Sequence, residues 1–264
     1  MDKVQVFITD WQVLFREGIH FTLSGEDDFE VVGEATSNTE ALEFIENSPP
    51  GVAILNANRS NPSGIDITRR IKQNFPSVKI VLIMDNYNVE QLFAAIKSGA
   101  SACLSKDMDP EELLNIVRRV AHGESPISQA LLEPDIASRI LNEFEAFAQI
   151  NSEVGDVLAT LIPAEGQVLH HIVDGNVPDE IAKSLNVTEE RVSQYLDIII
   201  NKMVSNDRNR EIVDTVQGNL NNVISKISRA RPPGGGEEYV TREEFEAFKD
   251  EFLSKLRSAF SNLT

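Results

Sequence analysis

The feature that most constrains the fold is a series of short, continuously apolar runs separated by segments of helical periodicity. The apolar runs lie near 4–9, 29–34, 52–55, 79–84 and 101–104. Strands that are buried on both faces have this composition, whereas strands with one solvated face alternate. The intervening patterns predict helices near 13–24, 38–47, 64–74, 89–98 and 110–121. This alternation predicts an α/β N-terminal domain with a doubly wound, five-stranded parallel sheet.

Composition excludes several classes of protein. A hydrophobic fraction of 41% is enough for buried cores, and no apolar run approaches the roughly 18 residues of a membrane span. The start of the chain has no signal-peptide pattern, and a single cysteine cannot form an internal disulfide. We therefore expect a cytoplasmic protein without cofactor or metal. Because the net charge is −18, any surface for nucleic acid must be local.

Two polar residues follow the first and third apolar runs. Asp10 and Asn56 are predicted at the carboxyl edge of the sheet, where parallel α/β folds place their sites. Leu14-Phe-Arg-Glu-Gly18 and the later Gly99-Ala-Ser101 and Lys106-Asp107 occur in the same order. On these residues, segment 1–125 resembles the receiver domain of LuxR-type (NarL/FixJ) bacterial response regulators.

The resemblance implies a phosphorylation site that has lost essential groups. In the family, a phosphorylated aspartate occupies the position of Asn56. Two acidic residues after the first strand hold a divalent cation there, and this chain has Thr9 and Asp10. Only one carboxylate would remain, and a hard cation such as Mg²⁺ prefers more anionic oxygen.

Three further positions carry the same implication. The family's hydroxyl residue after the fourth strand corresponds to Met84, and its aromatic switch residue in the fifth strand corresponds to Cys103. Only Lys106 matches the phosphate-partner lysine. We therefore predict a pseudo-receiver that does not accept phosphate.

A helical linker is predicted over 126–160. Pro134 opens one amphipathic helix with an apolar face, and a second short helix is predicted near 152–161. The apolar face consists of Ile136, Ile140, Leu141, Phe144, Phe147 and Ala148. Such a helix can pack against a domain, unlike a flexible tether.

Three helices are predicted in segment 161–215. Pro163 and Pro178 begin the first two, and Thr188 caps the third. Glu180-Ile-Ala-Lys-Ser-Leu185 and Val187-Thr188 resemble the LuxR-type helix-turn-helix. The resemblance thus implies an all-α DNA-binding domain.

The third of these helices is the recognition element if DNA is bound. Its core face is predicted from the spacing of Val192, Leu196, Ile199 and Met203. Family members often have lysine where this chain has Ser193 and Asp197. Serine and glutamine can read base edges, and arginine and lysine can bind phosphates. The predicted DNA-binding residues are Arg191, Ser193, Gln194, Asp197, Lys202 and Arg208.

A heptad-like pattern continues beyond this domain. Its apolar positions are Val213, Val216, Leu220, Val223 and Ile227. This spacing predicts a dimerisation helix that extends over 216–230. The alternative is a helix that folds back onto its own domain.

The C-terminal segment is predicted to contain an amphipathic helix whose apolar face is covered. A Pro/Gly linker, 231–240, precedes a capping box that opens an amphipathic helix over 241–264. Its apolar face includes Phe245, Phe248, Phe252, Leu256 and Phe260. We expect this face to contact a partner, a second copy or the body of the protein. Acidic residues on the same helix disfavour a membrane surface.

The leading hypothesis is a dimeric, phosphorylation-independent, DNA-binding transcription regulator, with a protein partner or other input at the receiver surface. The alternative is a scaffold with the same fold that does not bind DNA. An enzyme is not expected, because the sequence has no nucleophile–base pair, metal cluster or phosphate-binding glycine loop.

Overall fold

The computed structural model describes residues 3–58, 62–85, 88–154 and 158–229, with the backbone alone for 153–154 and 210–229. Five parallel strands form one sheet in the order β2-β1-β3-β4-β5. The strands are β1 (Val4–Thr9), β2 (Phe29–Ala35), β3 (Val52–Asn56), β4 (Lys79–Met84) and β5 (Ala102–Ser105). The predicted fold class is confirmed.

Five helices connect and cover the strands. They are α1 (Val13–Ser24), α2 (Asn38–Asn47), α3 (Gly64–Asn74), α4 (Val89–Ser98) and α5 (Pro110–Ala121). Val6 and Ile8 share a buried cluster with apolar residues of α1 and α5, whereas Phe7 stacks on Phe44 of α2. Because successive strand residues point to opposite faces, these contacts place helices on both faces of the sheet.

The linker departs from its prediction at one end. A 3₁₀ turn (Pro126–Leu132) leads into α6 (Pro134–Val154), so the helix opened by Pro134 is confirmed. The predicted second helix near 152–161 is wrong, because α6 continues through 152–154 and residues 158–160 are not helical. Ala148, which was predicted on the apolar face of α6, is exposed.

Asparagine side chains explain why residues 158–159 leave the helical path. Asn151 donates to the carbonyl of Leu158 at 2.8 Å and accepts from its N–H at 2.9 Å. Asn206 makes the equivalent pair of hydrogen bonds with Ala159 at 2.8 and 2.7 Å. Both residues therefore have their backbone groups satisfied without helical hydrogen bonds.

Three more helices follow: α7 (Pro163–Val173), α8 (Pro178–Leu185) and α9 (Glu189–Arg229). The predicted core residues Val192, Leu196, Ile199 and Met203 of α9 are buried. Helix α9 runs without interruption through the predicted boundary at 215. The side chains of the predicted seam, 213–227, and the whole of segment 231–264, with its phenylalanine face, lie outside the described residues.

The chain divides into two compact units. One comprises Met1–Asn142 with Leu161–Val204, and the other comprises Glu143–Thr160 with Ser205–Thr264. The first unit therefore contains the sheet domain, the 3₁₀ turn, α7, α8 and the first part of α9. No helix in the described part of the chain is both long and apolar enough to span a membrane.

Candidate functional site

The first candidate site lies at the carboxyl edge of the sheet. The residues that end or follow β1, β3, β4 and β5 meet there because the strands are parallel and adjacent in the sheet. Its polar side chains are Asp10, Asn56, Asp85 and Lys106. The predicted placement of Asp10 and Asn56 at this edge is confirmed.

Asn56 is fixed by hydrogen bonds at both ends of its amide. Its Nδ2 donates to Oδ2 of Asp10 at 2.5 Å, and its Oδ1 accepts from the backbone N–H of Asn58 at 2.8 Å. The side chain is buried, with only 3% of its surface exposed. The amide is therefore a structural group that satisfies a buried carboxylate.

Lys106 is held between two carboxylates. Its Nζ lies 3.2 Å from Oδ2 of Asp10 and 2.9 Å from Oδ1 of Asp85. It also donates to Oε1 of Gln12 at 3.0 Å and lies over the ring of Phe15. The ammonium group is thus engaged on several sides.

Asp85 is an additional carboxylate at this edge that the sequence analysis did not name. Its position directly after β4, which neighbours both β3 and β5 in the sheet, is the signal that could have identified it. The described residues contain no group of three or more His, Cys, Asp or Glu placed to bind a metal ion.

Thr9 is the last residue of β1 and lies directly before Asp10. Its hydroxyl is buried without a hydrogen-bond partner in the described structure, whereas Trp11 is substantially exposed. Neither neighbour of Asp10 in the sequence therefore adds a carboxylate to the site.

Met84 and Cys103 lie in strands β4 and β5 as predicted. Met84 is buried. Cys103 lines a cavity of about 280 Å³ with residues of α5 and the 3₁₀ turn. Burial raises the pKa of the Cys103 thiol, which makes it a poor nucleophile near neutral pH.

Two further features hold the backbone of this site in position. Arg16 donates to the carbonyl of Asp10 at 2.9 Å and to Glu34 at 2.8 Å. Burial alone would raise the pKa of Glu34, but hydrogen bonds from Arg16 and His20 outweigh it and lower that pKa. At Gly64, a Cβ would lie 2.2 Å from the carbonyl oxygen of Asn56, so α3 can begin at this close approach only with glycine.

The second candidate site is the outward face of α9. Arg191, Ser193 and Gln194 are exposed, and Asp197 is half-buried. Ser193 and Asp197 line a cavity of about 260 Å³ with residues of the 3₁₀ turn and the end of α5. Arg191 and Gln194 do not line it.

Lys202 and Arg208 lie further along α9. Lys202 forms an ion pair with the buried Glu165 of α7, with Nζ–Oε distances of 2.7 and 2.9 Å. Arg208 is half-buried. Among the six predicted DNA-binding residues, Arg191 and Gln194 are therefore the two that are exposed and do not line the cavity.

Comparison with known proteins decides the family. Residues 6–118 match the response regulator receiver domain. The uncharacterized transcriptional regulatory protein YhcZ of Bacillus subtilis is 30% identical, over 84% of this chain and all of its own length. This chain belongs to the NarL/LuxR family of response regulators. Membership of that family confirms that it is a regulator rather than an enzyme.

Other members of the NarL/LuxR family align over similar lengths. The transcriptional regulatory protein DegU of Brevibacillus brevis is 29% identical over 82% of this chain and 94% of its own. The nitrate/nitrite response regulator NarL of Escherichia coli is 28% identical over 76% of this chain and 90% of its own. These alignments are longer than the receiver domain and therefore extend into the helical C-terminal region.

Proposed function

We propose that this response regulator is a DNA-binding transcription regulator whose receiver domain works without phosphorylation. The observation that carries the proposal is the hydrogen bond from the Asn56 amide to Asp10 in a buried site. A carboxylate can act as the nucleophile for a phosphoryl group. A neutral amide with both ends already hydrogen-bonded cannot.

The remaining groups of the site support the same conclusion. Lys106, which could neutralise a phosphoryl group, is engaged by Asp10 and Asp85. Met84 has no hydroxyl with which to donate to a phosphoryl oxygen. Lys106 is therefore already paired with two carboxylates, and a phosphoryl group would have to displace these contacts.

DNA binding is proposed from the relatives and from α9. The aligned DegU and YhcZ are named transcriptional regulatory proteins, and α8 and α9 would form the helix-turn-helix pair. Ser193 and Asp197 line the cavity with the 3₁₀ turn. Contact of both residues with a duplex therefore requires that α9 separate from this turn.

A phosphodonor experiment tests independence from phosphate. We expect that incubation with acetyl phosphate leaves the intact mass of the protein unchanged and its affinity for duplex DNA unaltered. Mass spectrometry and fluorescence anisotropy measure the two quantities on the same sample. A stoichiometric phosphoryl adduct on the receiver, or a shift in DNA affinity that requires the phosphodonor, would contradict the proposal.

Self-association is proposed through residues 213–227 of α9. Two apolar heptads would bury their seam against a second helix, and a dimer would place two helix-turn-helix units on one duplex. We expect Leu220→Asp to shift the protein from dimer to monomer, because a buried unpaired carboxylate opposes association. Light scattering measures the change. A monomeric wild-type protein at the same concentration would exclude this seam as the interface.

A scaffold function is the second candidate, and the charge of α9 favours it. Glu190 and Asp197 place carboxylates on the outward half of the helix, and Lys202 is engaged by Glu165. A genome-wide DNA pull-down with the intact protein and with a variant truncated after residue 150 distinguishes the two functions. Enriched sites that vanish on truncation support DNA binding, and no enrichment supports the scaffold.

A further inference from the structure

Three side chains form a line along the accessible part of α9. Arg191, Gln194 and Ile198 are all exposed and follow one another at intervals of three and four residues, which places them on one face of a helix. None of them lines the cavity that contains Ser193 and Asp197. We call Arg191, Gln194 and Ile198 the reading strip.

Arg191 is fixed in position before any ligand binds. Its guanidinium carbon lies 4.7 Å from the centre of the Tyr195 ring, and its Nη1 donates to Oε1 of Gln194 at 2.9 Å. Tyr195 is buried and so provides a rigid surface for stacking. A guanidinium held in this way loses less rotamer freedom on binding than a free lysine or arginine.

The hydrogen bond to Arg191 orients Gln194. A glutamine amide offers an oxygen with two lone pairs and a nitrogen with two N–H donors. Because arginine only donates, the contact turns Oε1 of Gln194 towards Arg191 and uses one of its two lone pairs. Arg191 therefore presents donors alone, and Gln194 keeps donors and one acceptor lone pair.

The donors of Arg191 select among bases in the major groove. Guanine offers two acceptors, O6 and N7, whereas adenine and cytosine each present an amino donor. Arg191 therefore fits guanine, whereas the Gln194 amide can both donate to and accept from a neighbouring base pair. Ile198 adds an apolar group with 36% of its surface exposed, which fits the methyl group of thymine.

We propose that the reading strip recognises a guanine and a thymine about three base pairs apart, with Arg191 on guanine rather than on phosphate. Arg191 would bind O6 and N7 of guanine, Gln194 would contact a base pair between the two, and Ile198 would contact the thymine methyl group. Helical rise separates the three residues by about 4.5 and 6 Å along the axis, and their total span corresponds to about three base-pair steps of about 3.4 Å each. This inference rests on the proposed DNA-binding function.

Selection of duplexes from a random pool by the full-length protein tests the inference. We expect guanine at the position read by Arg191 in the selected sequences. Arg191→Lys keeps the charge but loses the bidentate fork, so discrimination for that guanine should fall by roughly 5- to 150-fold. Non-specific affinity and its salt dependence should stay unchanged. Arg70→Lys, at an exposed arginine of α3, is the matched control and should leave selection unaltered.

The outcomes separate this inference from the function on which it rests. If no duplex is enriched, DNA binding itself is overturned. If duplexes are enriched but Arg191→Lys and Gln194→Ala leave the selected motif unchanged, the reading strip is wrong while DNA binding stands. If Arg191→Lys weakened binding to all sequences equally, Arg191 would be a phosphate contact. This result would also overturn the inference.

Discussion

Glu165→Ala should lower the free energy of unfolding of the helix-turn-helix by about 3 kcal/mol, because it removes one partner of a buried ion pair. Glu165 is 2% exposed, and both of its carboxylate oxygens accept from Nζ of Lys202. The same carboxylate accepts from the backbone N–H of Ile162 at 3.0 Å. The substitution would therefore remove a helix cap and leave the half-buried Lys202 without this carboxylate.

Urea unfolding of the full-length protein, followed by the helical circular dichroism signal, measures this loss. Asp179→Ala is the matched control, because it removes an exposed carboxylate that pairs with Lys183 in the same domain. Its effect should be a small fraction of that of Glu165→Ala. Glu165→Gln should fall between the two, since it keeps an acceptor for Ile162 and loses the charge. Equal effects of Glu165→Ala and Asp179→Ala would contradict the prediction.

The Glu165–Lys202 ion pair could not be predicted from the residue types alone. A lysine on a recognition helix is a reasonable phosphate contact when only the sequence is considered. Glu165 lies 37 residues earlier, and its contact with Lys202 depends on how α7 packs against α9. Arg191 differs because its partners, Gln194 and Tyr195, are three and four residues away on the same helix. That contact could have been inferred from helical spacing.

The strands and receiver helices could be predicted because their signals are local. Apolar runs such as 79–84 have no alternation, and α5 begins at a proline directly after Asp109. The candidate site could be predicted only in part. Asp10 and Asn56 follow strands and were placed at the sheet edge by topology alone. Asp85 was not predicted because the resemblance identifies only the positions of the family's functional residues. It gives no information on additional acidic residues.

In segment 152–161, the sequence pattern predicts a separate helix that the described residues of the segment do not form. The composition is compatible with a helix, yet the helix is replaced near Leu158 and Ala159 by hydrogen bonds from Asn151 and Asn206. Asn206 is fully buried and lies 47 residues further along the chain. At Ala159 a tertiary contact therefore overrides the local preference, and no sequence window that ends near 161 contains Asn206.

Asn56→Asp should destabilise the protein by roughly 2–4 kcal/mol at pH 8, because it places a second carboxylate against Asp10 in a buried site. In the wild-type protein, the amide of Asn56 donates to Oδ2 of Asp10, and an ionised carboxyl cannot donate. The neighbouring negative charge and the burial both raise the folded-state pKa of the introduced carboxyl above its unfolded value of about 3.9.

The sign of the pH dependence follows from that direction. Below the unfolded-state pKa, the introduced group is protonated in both states and can donate to Asp10, so the difference between variant and wild type is small. As pH rises through the raised folded-state pKa, the charge must be formed in the buried site and the deficit reaches its full size. Urea unfolding of both proteins at pH 5 and pH 8 measures the difference, which should be larger at pH 8.

Asn74→Asp introduces the same charge at an exposed position at the end of α3 and is the control. Its effect on the free energy of unfolding should be small and nearly independent of pH. The variant Asn56→Asp should also remain without a phosphate-dependent change in DNA affinity. Lys106 is still shared with Asp85, and Met84 still offers no hydroxyl. If Asn56→Asp were as stable as wild type at pH 8, Asn56 would not be the group that satisfies Asp10.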